Sequence, residues 1–136
     1  MHLHVRGDIV AGEPVHLGHD SFASYDEDDV IRVDGGLLPR RRDNLFALRV
    51  RGLSMIDALI NDGDIVILQQ TNEVGNGAMV AAWLTVREEM TLKHIYFEDK
   101  NIRLQPANRE FDPIILPASE VEVQGKVILM QRQMGN

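Results

Sequence analysis

Ala78–Val86 (AMVAAWLTV), the triplet Arg87-Glu88-Glu89 and Met90–Phe97 (MTLKHIYF) follow one another without a break. Two apolar stretches of strand length, separated by three charged residues, predict an antiparallel hairpin. Working outward, Leu45–Val50 (LFALRV), Asp64–Gln69 (DIVILQ), Asn101–Leu104, Ile114–Leu116 and Val121–Gln131 are further strand-like runs. Asn61-Asp62-Gly63-Asp64, Gly75-Asn76-Gly77, Glu98-Asp99-Lys100 and Gly125 supply turn signals among them. This spacing predicts a mostly-β fold of coiled antiparallel sheets or a small barrel, not a parallel βαβ sheet. One short helix is expected, Met55–Ile60, with Ser54-x-x-Asp57 as its capping box.

The first 40 residues read differently. Gly7, Gly12, Pro14, Gly18, Gly35, Gly36 and Pro39 punctuate them, and residues 26–29 form an acidic run. An extended arm with loops is expected, with a short strand near Val30–Val33. The 136 residues suit a single domain. Its expected division is an arm over residues 1–20 and a core over residues 21–136.

Composition excludes several classes. An apolar fraction of 44% and a charged fraction of 26% rule out collagen and bulk disorder. No apolar run reaches the roughly 18 residues of a spanning helix, so no membrane partner is expected. No secretory leader is visible at Met1–Val10, and there is no cysteine, which excludes disulfides and thiolate chemistry. A cytoplasmic location is the expectation. The net charge of −7 disfavours a phosphate-binding surface. Arg40-Arg41-Arg42 reads first as a solvated loop facing the acidic run.

Two residues could carry chemistry. A serine before a short helix is ordinarily an N-cap. The same position sets Ser54 beside unpaired backbone N–H groups, which suit an oxyanion. Gly52 would let a substrate backbone approach. A serine nucleophile also needs a base. On the Met90–Phe97 strand, Lys93 shares a face with Ile95 and Phe97, whereas Leu92, His94 and Tyr96 point the other way. Both faces are apolar, so Lys93 is either desolvated or snorkels out from the strand. Bringing an ordinary lysine pKa of about 10.4 to about 7 needs roughly 4–5 kcal/mol, which burial can supply. His94 is a weaker base candidate on the opposite face. His16-x-x-His19-Asp20 lacks a second ligand cluster, so neither metal nor cofactor is expected.

Gly52-Leu53-Ser54-Met55, with Leu48–Arg51 before it and Asp62-Gly63-Asp64-Ile65-Val66 after it, resembles the nucleophile segment of LexA-type self-cleaving repressors. Thr91-Leu92-Lys93-His94-Ile95 resembles the segment carrying that family's lysine base. Gly7–Pro14 (GDIVAGEP) resembles its self-cleavage site, where the Ala–Gly bond is cut. Leu104–Asn108, Phe111–Ile114 and Gly125-Lys126-Val127 also match family stretches. The resemblance covers nearly the whole chain, and three separated motifs stand in the right order.

It implies a LexA-type peptidase and dimerisation fold with its short helix at the nucleophile. Ser54 would attack the Ala11–Gly12 bond, Lys93 would take the proton, and backbone amides of Ser54 and Met55 would hold the oxyanion. It further implies a homodimer through the terminal strand and stimulation by a RecA filament on single-stranded DNA. Operator DNA would be bound only through an N-terminal helix-turn-helix that this chain lacks. The sequence departs from the pattern at Val10, where alanine is common, and in the short Met1–Ala11 stretch before the bond. A portion of a repressor accounts for the short stretch. The alternatives are a UmuD-type accessory protein of translesion synthesis, which typically cleaves at Cys–Gly, and a dimerisation module whose dyad is idle.

Overall fold

Period-two alternation of apolar and polar residues, and runs apolar on both faces, build most of the described part of this molecule. The computed structural model describes residues 1–10, 30–40, 44–52, 60–108 and 111–132. They contain nine strands: β1 (His2–Val10), β2 (Val30–Arg32), β3 (Leu45–Arg51), β4 (Ile65–Gln69), β5 (Met79–Leu84), β6 (Glu89–Glu98), β7 (Asn101–Gln105), β8 (Ile114–Pro117) and β9 (Val121–Gln131). The expected strands match these to within two residues at each end. Residues 55–59 of the expected Met55–Ile60 helix lie outside the described residues, and Ile60 is buried and not helical.

All nine strands join one sheet in the order β2-β1-β3-β4-β9-β5-β6-β7-β8. The sheet curls far enough that β1 meets β6 as well, through Val10 and Thr91. Burial explains the continuous apolar runs. Phe46, Leu48 and Val50 of β3 pack with Val66, Leu68, Ala81, Trp83 and Leu92 in one cluster. Leu45, Ala47, Ile65 and Ile67, from the opposite faces of β3 and β4, pack with Leu3, Val5 and Val33 in a second. Val80, Ala82 and Leu84 join Ile95, Ile102 and Leu104 in a third. Strands covered on both faces lose the polar alternation of a solvated sheet.

The amino terminus departs from the expected arm. His2–Val10 is a nine-residue strand with Leu3, Val5 and Ile9 buried and His2, His4, Arg6 and Asp8 turned outward, apart from Gly7 a strict alternation. It pairs antiparallel with β2 but parallel with both β3 and β6, so the sheet is not wholly antiparallel. Gly125 is also not a turn. It lies within β9, where an added Cβ would come 2.9 Å from Phe46 Cζ and 3.2 Å from the Gln69 carbonyl oxygen. The glycine lets β9 cross close over the ring.

Candidate active site

Lys93 lies mid-strand on β6, opposite Val80 of β5 and on the same face as Thr91 and Ile95. That face packs into the apolar cluster of Val80, Ala82 and Ile95, which leaves Lys93 only 2% exposed. Its Nζ donates a 2.9 Å hydrogen bond to Thr91 Oγ1. Burial makes the charged form costly and lowers the pKa from 10.5 to about 8. At pH 7 about one amine in ten is then neutral, against roughly one in 3,000 for an exposed lysine. Such an amine can accept a proton near neutrality.

His94, one residue on, faces the other side of β6 and is half-buried. Its Nδ1 donates to the Gly77 carbonyl at 2.9 Å, which occupies that nitrogen in tethering β6 to the turn before β5. Alternation thus separates the two residues in the way the sequence predicts.

Three chain segments converge beside Lys93. Val10, the last residue of β1, pairs with Arg51 at the end of β3 and with Thr91 of β6. Arg51 leads into Gly52, and Thr91 accepts the Lys93 hydrogen bond. The expected cleavage residues Ala11 and Gly12, the expected nucleophile Ser54 and the expected oxyanion residue Met55 lie outside the described residues. So do His16, His19, Asp20, the acidic run 26–29 and residues 41–42 of the arginine triplet.

The residues flanking the expected nucleophile segment are described, and they form a hydrogen-bonded base. Gly52 adopts φ 101°, a left-handed conformation that disfavours any side chain. Its N–H donates to Asp62 Oδ1 at 3.0 Å. Asn61 N–H donates to Asp64 Oδ2 at 2.8 Å, and Val50 N–H to the Asp64 carbonyl at 2.8 Å. Asp64 is 3% exposed and receives a two-pronged contact from Arg132, Nε to Oδ1 at 2.8 Å and Nη2 to Oδ2 at 2.7 Å. The guanidinium hydrogen bonds hold its carboxyl below the usual range despite burial. Sequence reading took Asp62-Gly63-Asp64 as a turn and passed over Arg132. No local spacing links residues so far apart in the chain; the lone arginine ending an apolar strand was the only signal.

Among the described residues no helix is long and apolar enough to cross a membrane. The peptidase S24-like family model matches residues 8–128. The chain is similar to a LexA repressor of Herpetosiphon aurantiacus, 43% identical over 132 residues, covering 96% of this chain and 60% of the relative. A LexA repressor of Roseiflexus is 41% identical over 128 residues, 94% of this chain and 58% of its own length. One of Clostridium novyi is 39% identical over 127 residues, 93% and 58%. The chain spans about 60% of the length of the curated relatives it matches. A family match over most of the chain, with relatives sharing about two residues in five, establishes that the chain belongs to the peptidase S24-like family and is of LexA type.

Proposed function

We propose that this chain is the self-cleaving regulatory portion of a LexA-like repressor of the DNA-damage response, with Ser54 and Lys93 as its dyad. The observation that carries the reading is the double pairing of Val10. It puts the residue before Ala11 between the strand that leads to Ser54 and the threonine bonded to Lys93. Substrate, nucleophile and base segments therefore leave from one corner of the sheet.

The chemistry follows from these groups. Ser54 Oγ attacks the Ala11 carbonyl carbon while its proton passes to neutral Lys93 Nζ. Backbone N–H groups of Ser54 and Met55 hold the resulting oxyanion. As the C–N bond breaks, the Lys93 ammonium returns the proton to the Gly12 nitrogen. Water then hydrolyses the Ala11 ester, again with Lys93 as base, and frees Ser54. The products are Met1–Ala11 and Gly12–Asn136. Because substrate and catalyst share one chain, each molecule cuts once.

The partners follow from the same reading. The trigger is a RecA filament on single-stranded DNA, and operator contact belongs to a DNA-binding region outside this acidic chain. Self-association involves β9. This strand pairs with β5 over Val121–Lys126 and with β4 over Lys126–Gln131. Beyond Lys126, the edge facing away from β4 has no strand partner among the described residues, and Val127–Met130 stay half-buried. A second copy across a two-fold axis would cover them.

Intact-mass analysis of the purified chain during incubation at alkaline pH tests the proposal. Cleavage between Ala11 and Gly12, first order and independent of protein concentration, is expected. Ser54→Ala and Lys93→Ala should each abolish it, and His94→Ala should not. A wild-type chain that stays whole at every pH, with or without filament, would instead make this a dimerisation module with an idle dyad.

A further inference from the structure

We infer that Asp62 and the Asp64–Arg132 pair are positioning residues for the nucleophile, because they fix the two ends of the segment that carries Ser54. This inference rests on the serine–lysine reading above. The segment 53–59 leaves the described structure at Gly52 and returns at Ile60. At the first end, the Asp62 carboxylate holds the Gly52 N–H at 3.0 Å. At the second, the Asp64 carboxylate holds the Asn61 N–H at 2.8 Å. The backbone between the two aspartates is fastened to β3 as well, by Gly63 N–H to the Val50 carbonyl and Val50 N–H to the Asp64 carbonyl, each 2.8 Å.

Arg132 anchors this assembly from a distant part of the chain. It directly follows β9, and its guanidinium grips both oxygens of the buried Asp64 carboxylate. A planar fork resists rotation in a way a single contact does not. A cleft of about 370 Å³ runs beside Arg49, Asn61, Asp62, Gly63, Asp64 and Arg132. Asn61, Asp62 and Gly63 are exposed there, so polar contacts rather than apolar packing hold them. Gly52 sharpens the need: at φ 101° it has no side chain to restrict it, and a carboxylate on its N–H supplies the restraint. A nucleophile displaced by about 1 Å can lose about 100-fold in rate, so the ends of its segment matter although neither aspartate touches the reacting atoms.

The test is the self-cleavage rate of the full chain, followed by intact mass across pH 6–10. Asp62→Ala should cleave about 10- to 100-fold more slowly, with the midpoint of its pH profile unmoved, since Lys93 sets that midpoint. Asp62 is exposed, so the variant should keep wild-type Trp83 fluorescence and urea midpoint. Asp62→Asn retains the Oδ1 acceptor and should recover to within about threefold of wild type. Arg132→Gln should also lower the rate without moving the pH midpoint, and Arg132→Lys should recover part of it. Wild-type rates in Asp62→Ala and Arg132→Gln, with Ser54→Ala inert, overturn the positioning role and leave the dyad standing. A loss in Asp62→Ala that Asp62→Asn does not relieve overturns it too. Cleavage that persists in Ser54→Ala overturns the underlying reading instead.

Discussion

Replacing Lys93 by methionine in a Ser54→Ala background should remove a pH-dependent burden on the fold. The side chain is 2% exposed among Val80, Ala82 and Ile95, and methionine fills a similar volume without a charge. Burial lowers the amine from 10.5 to about 8, a difference that corresponds to about 3 kcal/mol. Between those two values the folded chain binds fewer protons than the unfolded chain. Stability therefore rises with pH through that window and is lost again as pH falls toward 8. Relative to the methionine variant, the lysine protein should gain about 1 kcal/mol from pH 7 to 9 and about 2 to 3 kcal/mol from pH 7 to 10. Groups common to both proteins cancel in the difference, and on the proposed dyad the Ser54→Ala background would not cleave during the measurement. Urea unfolding followed by the fluorescence of Trp83, the sole tryptophan, reads it directly. A difference that stays constant within half a kcal/mol from pH 7 to 10 would mean a solvated amine and refute the desolvation argument.

Other outcomes follow from the same structure. The cleavage rate should rise about tenfold per pH unit below the Lys93 pKa of about 8 and level off above it; a plateau already reached near pH 6–7 would point to an imidazole base instead. Asp64→Asn should flatten the acid limb of stability. The Arg132 contact depresses the Asp64 pKa, so its contribution is complete above the ordinary carboxylate value of 3.8 and disappears as pH falls below it; acid-induced unfolding curves of the two proteins compare this. Gly125→Ala should destabilise by about 1–3 kcal/mol, because the new methyl meets Phe46 and the Gln69 carbonyl; equal urea midpoints would count against that contact. Sedimentation at 100 µM should give a dimer, and a 15.3 kDa species there would remove β9 as a self-association surface.

Strand identity was legible because burial writes a local pattern. Ile65–Leu68 and Val80–Leu84 are apolar on consecutive positions because both faces are covered, and Glu89–Glu98 sets Lys93 and His94 on opposite faces by alternation alone. The amino-terminal strand was equally legible in principle, since Leu3, Val5 and Ile9 share one parity. Its glycine and histidines hid it: Gly7 interrupts the alternation between Val5 and Ile9, where the register against β3 also shifts.

The LexA-type resemblance, too, resides in the sequence: Ser54, Lys93 and Ala11–Gly12, the proposed nucleophile, base and cleavage site, stand in segments whose residue order carries it. What tertiary structure decided was proximity. Which strand lies beside which is set by long-range pairing, and no local rule places Val10 next to both Arg51 and Thr91. Curling of the sheet is also what brings β1 against β6, a strand that its place in the sheet order sets far away. Lys93 illustrates the division: its type and parity are local facts, whereas its pKa depends on how much apolar surface the other strands fold over it. The Asp64–Arg132 contact joins residues 68 positions apart. Its strength comes from burial and two-pronged geometry, properties that exist only once β4 and β9 have paired.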